Sequence, residues 1–294
     1  MTHTGIECFL AICRHKTGNA AAQALYITQP SLSARLKGLE KEIGVQLFYR
    51  RKGSREMVLT AAGEAFYHLA LQYESLIQKM HNLGQSPQTT LRISCFNSLG
   101  TYLFPEVYQL LLQKNPEISL QMQDMEIVAA SQSMLKGETD LAFTAGSISD
   151  SRLQQIPAFS EPMQVICSAD SGWQTPTAFS DLPAQEEVYV QWSHHFEQWH
   201  QLHLGNSHPQ LCVSIMAQLR QFLKQKDRWA IVPLSVAKGL EAECSIRYLE
   251  TDLPLPRREV SYIVNAQAQA PAIRAFLDCL QQVLATYPEI EILL

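Results

Sequence analysis

The chain has 294 residues, 46% of them hydrophobic and 17% charged, and a net charge of −5. That length favours more than one domain, and the composition excludes a disordered, collagenous or disulfide-stapled chain. Seven cysteines without CxxC spacing, no apolar run near the ~18 residues that span a bilayer, and no basic-then-apolar leader in MTHTGIECFL lead us to expect a cytoplasmic protein without membrane contact.

The net charge conceals an asymmetry. Residues 1–60 carry nine Lys or Arg against four Glu, a surplus of +5, which leaves −10 on the remainder. A basic head on an acidic body suits a nucleic-acid binder whose body avoids phosphate.

Ile6, Phe9, Leu10 and Cys13 share one face of a first helix. Asn19 is the expected cap of a second, with Ala21, Ala22 and Leu25 inward. Thr28 caps a third that carries Pro30 early, buries Leu32, Leu36, Leu39 and Ile43, and stops at Gly44. Two helices joined by Tyr26-Ile27 form a helix-turn-helix, with Thr28, Gln29, Pro30, Ser31, Ser33, Arg35 and Lys37 as its DNA side. Gln29 suits an adenine edge, Arg35 a guanine or phosphate, and the serines a base or phosphate oxygen. Two strand-like pieces then flank Arg50-Arg-Lys-Gly-Ser-Arg55, a hairpin wing offering Arg51, Lys52 and Arg55 to phosphates or the minor groove.

From Thr60 the apolar positions Ala62, Phe66, Leu69, Tyr73, Leu76, Met80 and Leu83 repeat at heptad spacing, which calls for a partner helix. Polar residues 84–89 break that helix. Beyond them strand-like and helix-like pieces alternate: strands at 91–94 and 118–122, helices at 101–113 and 128–136, then a strand into Phe143. This βαβ rhythm implies a mostly parallel sheet that binds ligands at its strand carboxyl ends.

The run Ala-Ala-Gln-Ala-Leu-Tyr-Ile-Thr-Gln-Pro-Ser-Leu-Ser-Ala-Arg-Leu-Lys-Gly-Leu-Glu-Lys-Glu-Ile-Gly-Val-Gln-Leu-Phe-Tyr-Arg, followed by Leu59-Thr-Ala-Ala-Gly-Glu64, strongly resembles the LysR-type transcriptional regulators over residues 5–66. The segments L-R-I-x(7)-L-F-P, N-P-x-I-x-L and L-K-G-E-T-D-L-A-F extend the likeness. One departure is Lys16-Thr-Gly-Asn19, where the family has a small residue followed by an aromatic. The resemblance implies an α+β multidomain fold: a winged helix-turn-helix (1–60), a long dimerising linker helix (61–84), a hinge (85–90) and an α/β effector domain (91–294). That last domain would resemble a periplasmic binding protein, with subdomain I at 91–161 and 266–294 and subdomain II at 162–265. The crossing strands are placed near Ala158–Pro162 and Ile263–Gln267.

Implied partners are a dyad-symmetric duplex DNA operator, a small-molecule effector between the subdomains, a second copy in a homodimer or homotetramer, and RNA polymerase. No cofactor and no metal are implied. Ser98 falls where the family places an effector-contacting Ser or Thr, although it also reads as a plain helix-start residue. Glu126 and Ile127 replace the usual Gly-Asn-Ser, and Arg228-Trp229 replaces Gly-x-Gly, which argues against a carboxylate effector held in the usual way. Arg228 and Trp229 are then candidate ligand groups, with Trp229 equally a core residue. In Trp192–His208 three readings stay open: a metal site through His200, His203 and Glu197; a cleft wall entered at Trp192; or a surface helix with buried aromatics. Cys167, Cys212 and Cys244 lack the cation cluster of a redox sensor. No enzyme motif (GxGxxG, P-loop, G-x-S-x-G or HExxH) occurs, and the rival readings are a ligand-independent DNA-architectural protein or a metal- or redox-responsive regulator.

Overall fold

The computed structural model describes residues 2–50, 56–81, 89–148, 150–205, 209–265 and 271–294. They fall into two units, Met1–Ser86 and Pro87–Leu294.

The first unit opens with α1 (His3–His15), α2 (Gly18–Ala24) and α3 (Gln29–Ile43). Lys16, at φ 60°, closes α1, and the Thr17 hydroxyl caps α2 by accepting the Ala20 N–H. Thr17, rather than Asn19, is therefore the cap: Asn19 is already inside the first turn, and Thr17 has the extended backbone a cap needs. Strands β1 (Phe48–Arg50) and β2 (Met57–Leu59) pair antiparallel. The wing cations Arg51, Lys52 and Arg55 lie outside the described residues. Phe9 holds the unit together, with ring centroids 5.1 Å from Phe48 and 4.9 Å from Phe66 on α4 (Ala61–His81).

In that helix the heptad positions divide into two rows. Phe66 and Tyr73 pack on the three-helix core, and Ala62 is half-buried. Leu69, Leu76 and Met80 stay 61%, 55% and 56% exposed. The physical reason is angular: positions three apart on a helix sit about 60° apart, so the α1 side covers one row and leaves the other open. Leu83 and most of the expected hinge lie outside the described residues.

The second unit contains β3 (Thr89–Cys95), α5 (Phe104–Lys114), β4 (Ile118–Asp124), α6 (Ile127–Leu135), β5 (Leu141–Thr144) and β6 (Leu153–Ser168). It continues with β7 (Val188–Tyr189), α7 (His194–Leu204), β8 (Leu211–Cys212), α8 (Met216–Leu223), β9 (Trp229–Pro233) and α9 (Leu234–Glu243). It ends with β10 (Ile246–Leu249), β11 (Arg257–Asn265), α10 (Pro271–Leu284) and β12 (Glu291–Ile292). A π-helical turn, Leu99–Leu103, precedes α5 where one continuous helix is expected.

The sheet is mixed rather than mostly parallel. Strand β3 runs parallel to β4 and β5, whereas β11 runs antiparallel to both β5 and β6. The 16-residue β6 ties two lobes together: its first part pairs with β11 and its last part with β9 and β10. Arg257–Val260 stand opposite Phe159–Pro162, so the return crossing begins at Arg257. It is not at Ile263–Gln267: Ile263 is already paired with Ala142 inside the first lobe, and residues 266–267 lie outside the described residues.

Each lobe has its own core. In the first, Phe104 meets Phe143 and Phe276 edge-on at 4.8 and 5.5 Å, pairs worth ~0.5–1.5 kcal/mol each beyond their burial. In the second, Ile166, Val188, Leu219, Val232 and Leu240 pack on one side and Phe179, Phe196 and Trp229 on the other. No helix among the described residues is long and apolar enough to cross a membrane.

Candidate DNA-reading helix and lobe junction

The start of α3 is built as a sharp beginning. Thr28 is extended (φ −79°, ψ 149°) and its hydroxyl accepts the Ser31 N–H at 3.4 Å. Pro30 occupies the first turn, where its missing N–H costs no hydrogen bond. Gly44, at φ 82°, ends the helix in the left-handed region. Leu32, Leu36 and Leu39 are buried, Ile43 half-buried, and Pro30, Ala34, Lys37, Gly38 and Lys41 all face solvent.

The residues grouped in sequence as one DNA side do not form one row. At ~100° per residue, positions two apart lie on opposite flanks. Gln29 therefore leans toward α2, where a methyl added at Gly18 would sit 4.0 Å from its amide. Arg35 leans toward α1, with its guanidinium beside the Cys8 thiol, which burial pushes up against that cation's pull. Ser31 and Ser33 are half-buried on the flanks, and of the predicted set Pro30 and Lys37 share the outward row with Ala34, Gly38 and Lys41.

Two residues fix the start of the wing, one from α3 and one from α4. The Glu40 carboxylate accepts the Leu47 and Phe48 N–H groups at 2.8 and 3.4 Å. Gly63 lets α4 approach the Leu47 carbonyl so closely that a Cβ there would stand 2.1 Å from the oxygen. Neither role is visible in helical periodicity, because each depends on a residue seven or more positions away.

At the junction of the two lobes lies a buried ion pair that composition and periodicity do not announce. Arg258, on β11, donates from Nε to Glu161 Oε1 at 2.9 Å and from Nη2 to the same oxygen at 2.5 Å. Both side chains are almost fully buried, at 1% and 0% exposure. Arg258 Nη1 donates to Ser98 Oγ at 2.8 Å, and the Ser235 N–H donates to Glu161 Oε2 at 2.9 Å. The guanidinium carbon stands 5.1 Å from the Phe96 ring and 5.6 Å from the Trp192 ring, one from each lobe. Two further contacts join the lobes. Asn97 Oδ1 accepts the Met216 N–H at 2.9 Å, and Tyr102 lies on Gly239 so closely that an added Cβ would meet its ring at 2.2 Å.

Of the five predicted effector residues, the structure gathers two around Arg258. Ser98 is buried and bonded to it, and Trp192 is half-buried beside it, with its indole N–H on the Ile231 carbonyl at 2.7 Å. Glu126 is exposed at the start of α6. Trp229 is a core residue, 2% exposed, with its indole N–H donating to the Pro183 carbonyl. Arg228 precedes it, bonded to the Gln185 carbonyl and to Glu186. Trp229 pairs with Cys167, six residues along β6 from Glu161 and therefore ~20 Å away. Arg228 and Trp229 thus belong to the far end of the second lobe.

The His/Trp-rich segment forms α7. His200 is buried with Nε2 at 2.9 and 3.0 Å from the two Glu187 oxygens, while His194, His195 and His203 are exposed. The Trp199 indole N–H donates to the Pro254 carbonyl. His208 lies outside the described residues, and among the described residues no cluster of three metal-ligating side chains forms. All seven thiols are free, and Cys167 is fully buried behind the Ser171 hydroxyl.

Comparison with known proteins agrees with this architecture. Residues 4–64 match the model of the bacterial regulatory helix-turn-helix protein, lysR family, and residues 84–285 match the LysR substrate binding domain. The uncharacterized HTH-type transcriptional regulator YcgK of Bacillus subtilis (strain 168) is 33% identical over 162 residues, 54% of this chain and 49% of that protein. The chain thus spans about half the length of that curated relative in alignment. Among solved structures, a full-length OxyR variant from Pseudomonas aeruginosa superposes over 96% of this chain and 95% of its own, with TM-score 0.67 and 23% identity. Full-length CbnR complexed with its target DNA superposes over 96% of this chain and 100% of its own, with TM-score 0.63 and 19% identity. The chain belongs to the LysR family of transcriptional regulators.

Proposed function

We propose that the chain regulates transcription by reading duplex DNA with α3 and by sensing a small molecule at the junction of its two lobes. The carrying observation is the solvent face of α3: a capped helix start, small residues at Ala34 and Gly38, and the cations Lys37 and Lys41. Small side chains let the backbone enter a major groove, and the lysines meet phosphates on its walls. The exposed row Leu69–Leu76–Met80 supports a homodimer through α4, which would present two reading helices to a dyad-symmetric operator. Effector sensing rests on Ser98, Trp192 and Arg258, where both lobes and both crossing strands converge. A cytoplasmic location fits this role.

A second reading, a DNA-architectural protein that needs no effector, is favoured by one observation: the junction is already bridged by the chain's own bonds, Ser98 to Arg258 and Asn97 to Met216. Two measurements decide between them. Fluorescence anisotropy with the DNA flanking the chain's own gene should give salt-dependent, sequence-selective binding. Lys37→Ala should weaken binding to all sequences and lower the slope of log K against log salt by about 0.9. An unchanged slope would remove α3 from the interface. Ligand-dependent change in the footprint would support sensing, and footprints indifferent to every metabolite tried would favour the architectural reading.

A further inference from the structure

The turn that joins α2 to α3 holds a residue the fold does not favour. Tyr26 sits at φ 54°, in the left-handed region. Its N–H donates to the Gln23 carbonyl at 3.1 Å, and the Ile27 N–H donates to the Ala22 carbonyl at 3.0 Å. These are the two bonds of a Schellman helix ending, with Tyr26 at the position glycine usually fills. A bulky residue is strained there, because its Cβ crowds the carbonyl that follows.

Packing does not offset that strain. Tyr26 is 97% exposed, whereas Ile27 beside it packs on the core of the first unit. A glycine would keep both backbone bonds and give up no buried area. A strained side chain that gives the fold nothing points to a contact outside the chain. Its place in the turn says what that contact is. Tyr26 stands two residues ahead of Thr28, the cap of α3, and Thr28, Gln29 and Pro30 are exposed with it. In a helix-turn-helix the first helix crosses the sugar-phosphate backbone and the second lies in the major groove. The turn between them therefore lies at the groove edge, beside phosphate. A phenol suits that place, since its O–H donates to a phosphate oxygen and its ring covers sugar carbon.

We propose that Tyr26 donates its hydroxyl to a phosphate at the edge of the groove that α3 enters, and so fixes the register of that helix on duplex DNA. The proposal rests on α3 being the reading helix. A phosphate contact carries no base information, so it serves every sequence equally. A neutral phenol also displaces no counterion, which sets it apart from the lysines on the face of α3.

The test compares the full chain with Tyr26→Phe, Tyr26→Gly and Lys37→Ala by fluorescence anisotropy across a salt series. The probes are the DNA flanking the chain's own gene and a mixed-sequence duplex. Tyr26→Phe should bind both DNAs roughly tenfold more weakly, the size of one hydrogen bond to a charged group. Its slope of log K against log salt should equal that of the native chain, whereas Lys37→Ala lowers the slope. Tyr26→Gly should bind no better than Tyr26→Phe, yet unfold at a higher urea concentration than the native chain, because the backbone strain is relieved. Opposite signs for binding and stability separate a DNA contact from a residue that merely holds the turn. The proposal is overturned if Tyr26→Phe binds both DNAs as tightly as the native chain, if its salt slope falls, or if Tyr26→Gly lowers the urea midpoint. A loss of binding in Lys37→Ala alone removes only the Tyr26 contact; unchanged binding in all three variants removes the reading of α3 as well.

Discussion

Replacing Arg258 by methionine removes the guanidinium that donates to Glu161, Ser98 and Ser235 while keeping most of the side-chain volume. Glu161 then stays fully buried, still accepting from the Ser235 N–H, and Ser98 Oγ loses its donor. Stranding one member of a buried ion pair costs ~3–5 kcal/mol, because a charge remains without its counter-charge in low dielectric. In a unit of about 200 residues ~1 kcal/mol shifts Tm by ~2–4 °C, so a fall of roughly 6–20 °C is expected. Glu161→Met alone should cost a similar amount, since it strands the guanidinium between the Phe96 and Trp192 rings. The double variant removes both charges together and should lose far less than the sum of the two singles. Urea and thermal melts of all four proteins, followed by circular dichroism, complete the cycle. If the two single losses add in the double variant, or if Arg258→Met costs under ~1 kcal/mol, the pair is not a mutually dependent clasp and the reasoning is refuted.

Three further outcomes follow from the same structure. Leu76→Glu puts a charge in the exposed row of α4 and should convert a dimer to monomers by sedimentation velocity, with little change in the monomer's melt; an unaltered oligomer would place the contact elsewhere. Gly63→Ala forces a Cβ to 2.1 Å from the Leu47 carbonyl, so the first unit should lose ~1–3 kcal/mol of stability, measured by urea unfolding, and an unchanged midpoint would contradict the close approach. Burial pushes the Cys95 thiol from 9.0 up to about 12, so the folded state favours its neutral form. That contribution is complete below about pH 9 and is lost as pH rises toward about 12, so Cys95→Ala should show a shallower alkaline loss of stability than the native chain.

Helix α3 was legible in the sequence because its determinants are local. Thr28, Pro30, the four-three-four leucine spacing and Gly44 act within one or two turns, and the structure uses each in its expected role. The caps of α2 and the shape before α5 were less so, since Thr17 against Asn19 and a π-turn against a helix differ by one or two residues of backbone geometry. Trp229 could be read as ligand wall or core until strand pairing set it against Cys167.

By itself, the sequence determined the order of helices and strands, the basic head and the family pattern, because caps, periodicity and charge are properties of neighbouring residues. Which residues meet was decided only by the tertiary structure. Arg258 and Glu161 are 97 positions apart and Arg258 and Ser98 160, and no local pattern couples them. They become partners because β6 and β11 run antiparallel through the junction and place Arg258 directly opposite Glu161. The heptad of α4 was likewise plain in the chain, but its division into a packed row and an open one depended on where α1 lies. Burial is a property of the assembled surfaces, and it is burial that turns a pattern of residue types into a site.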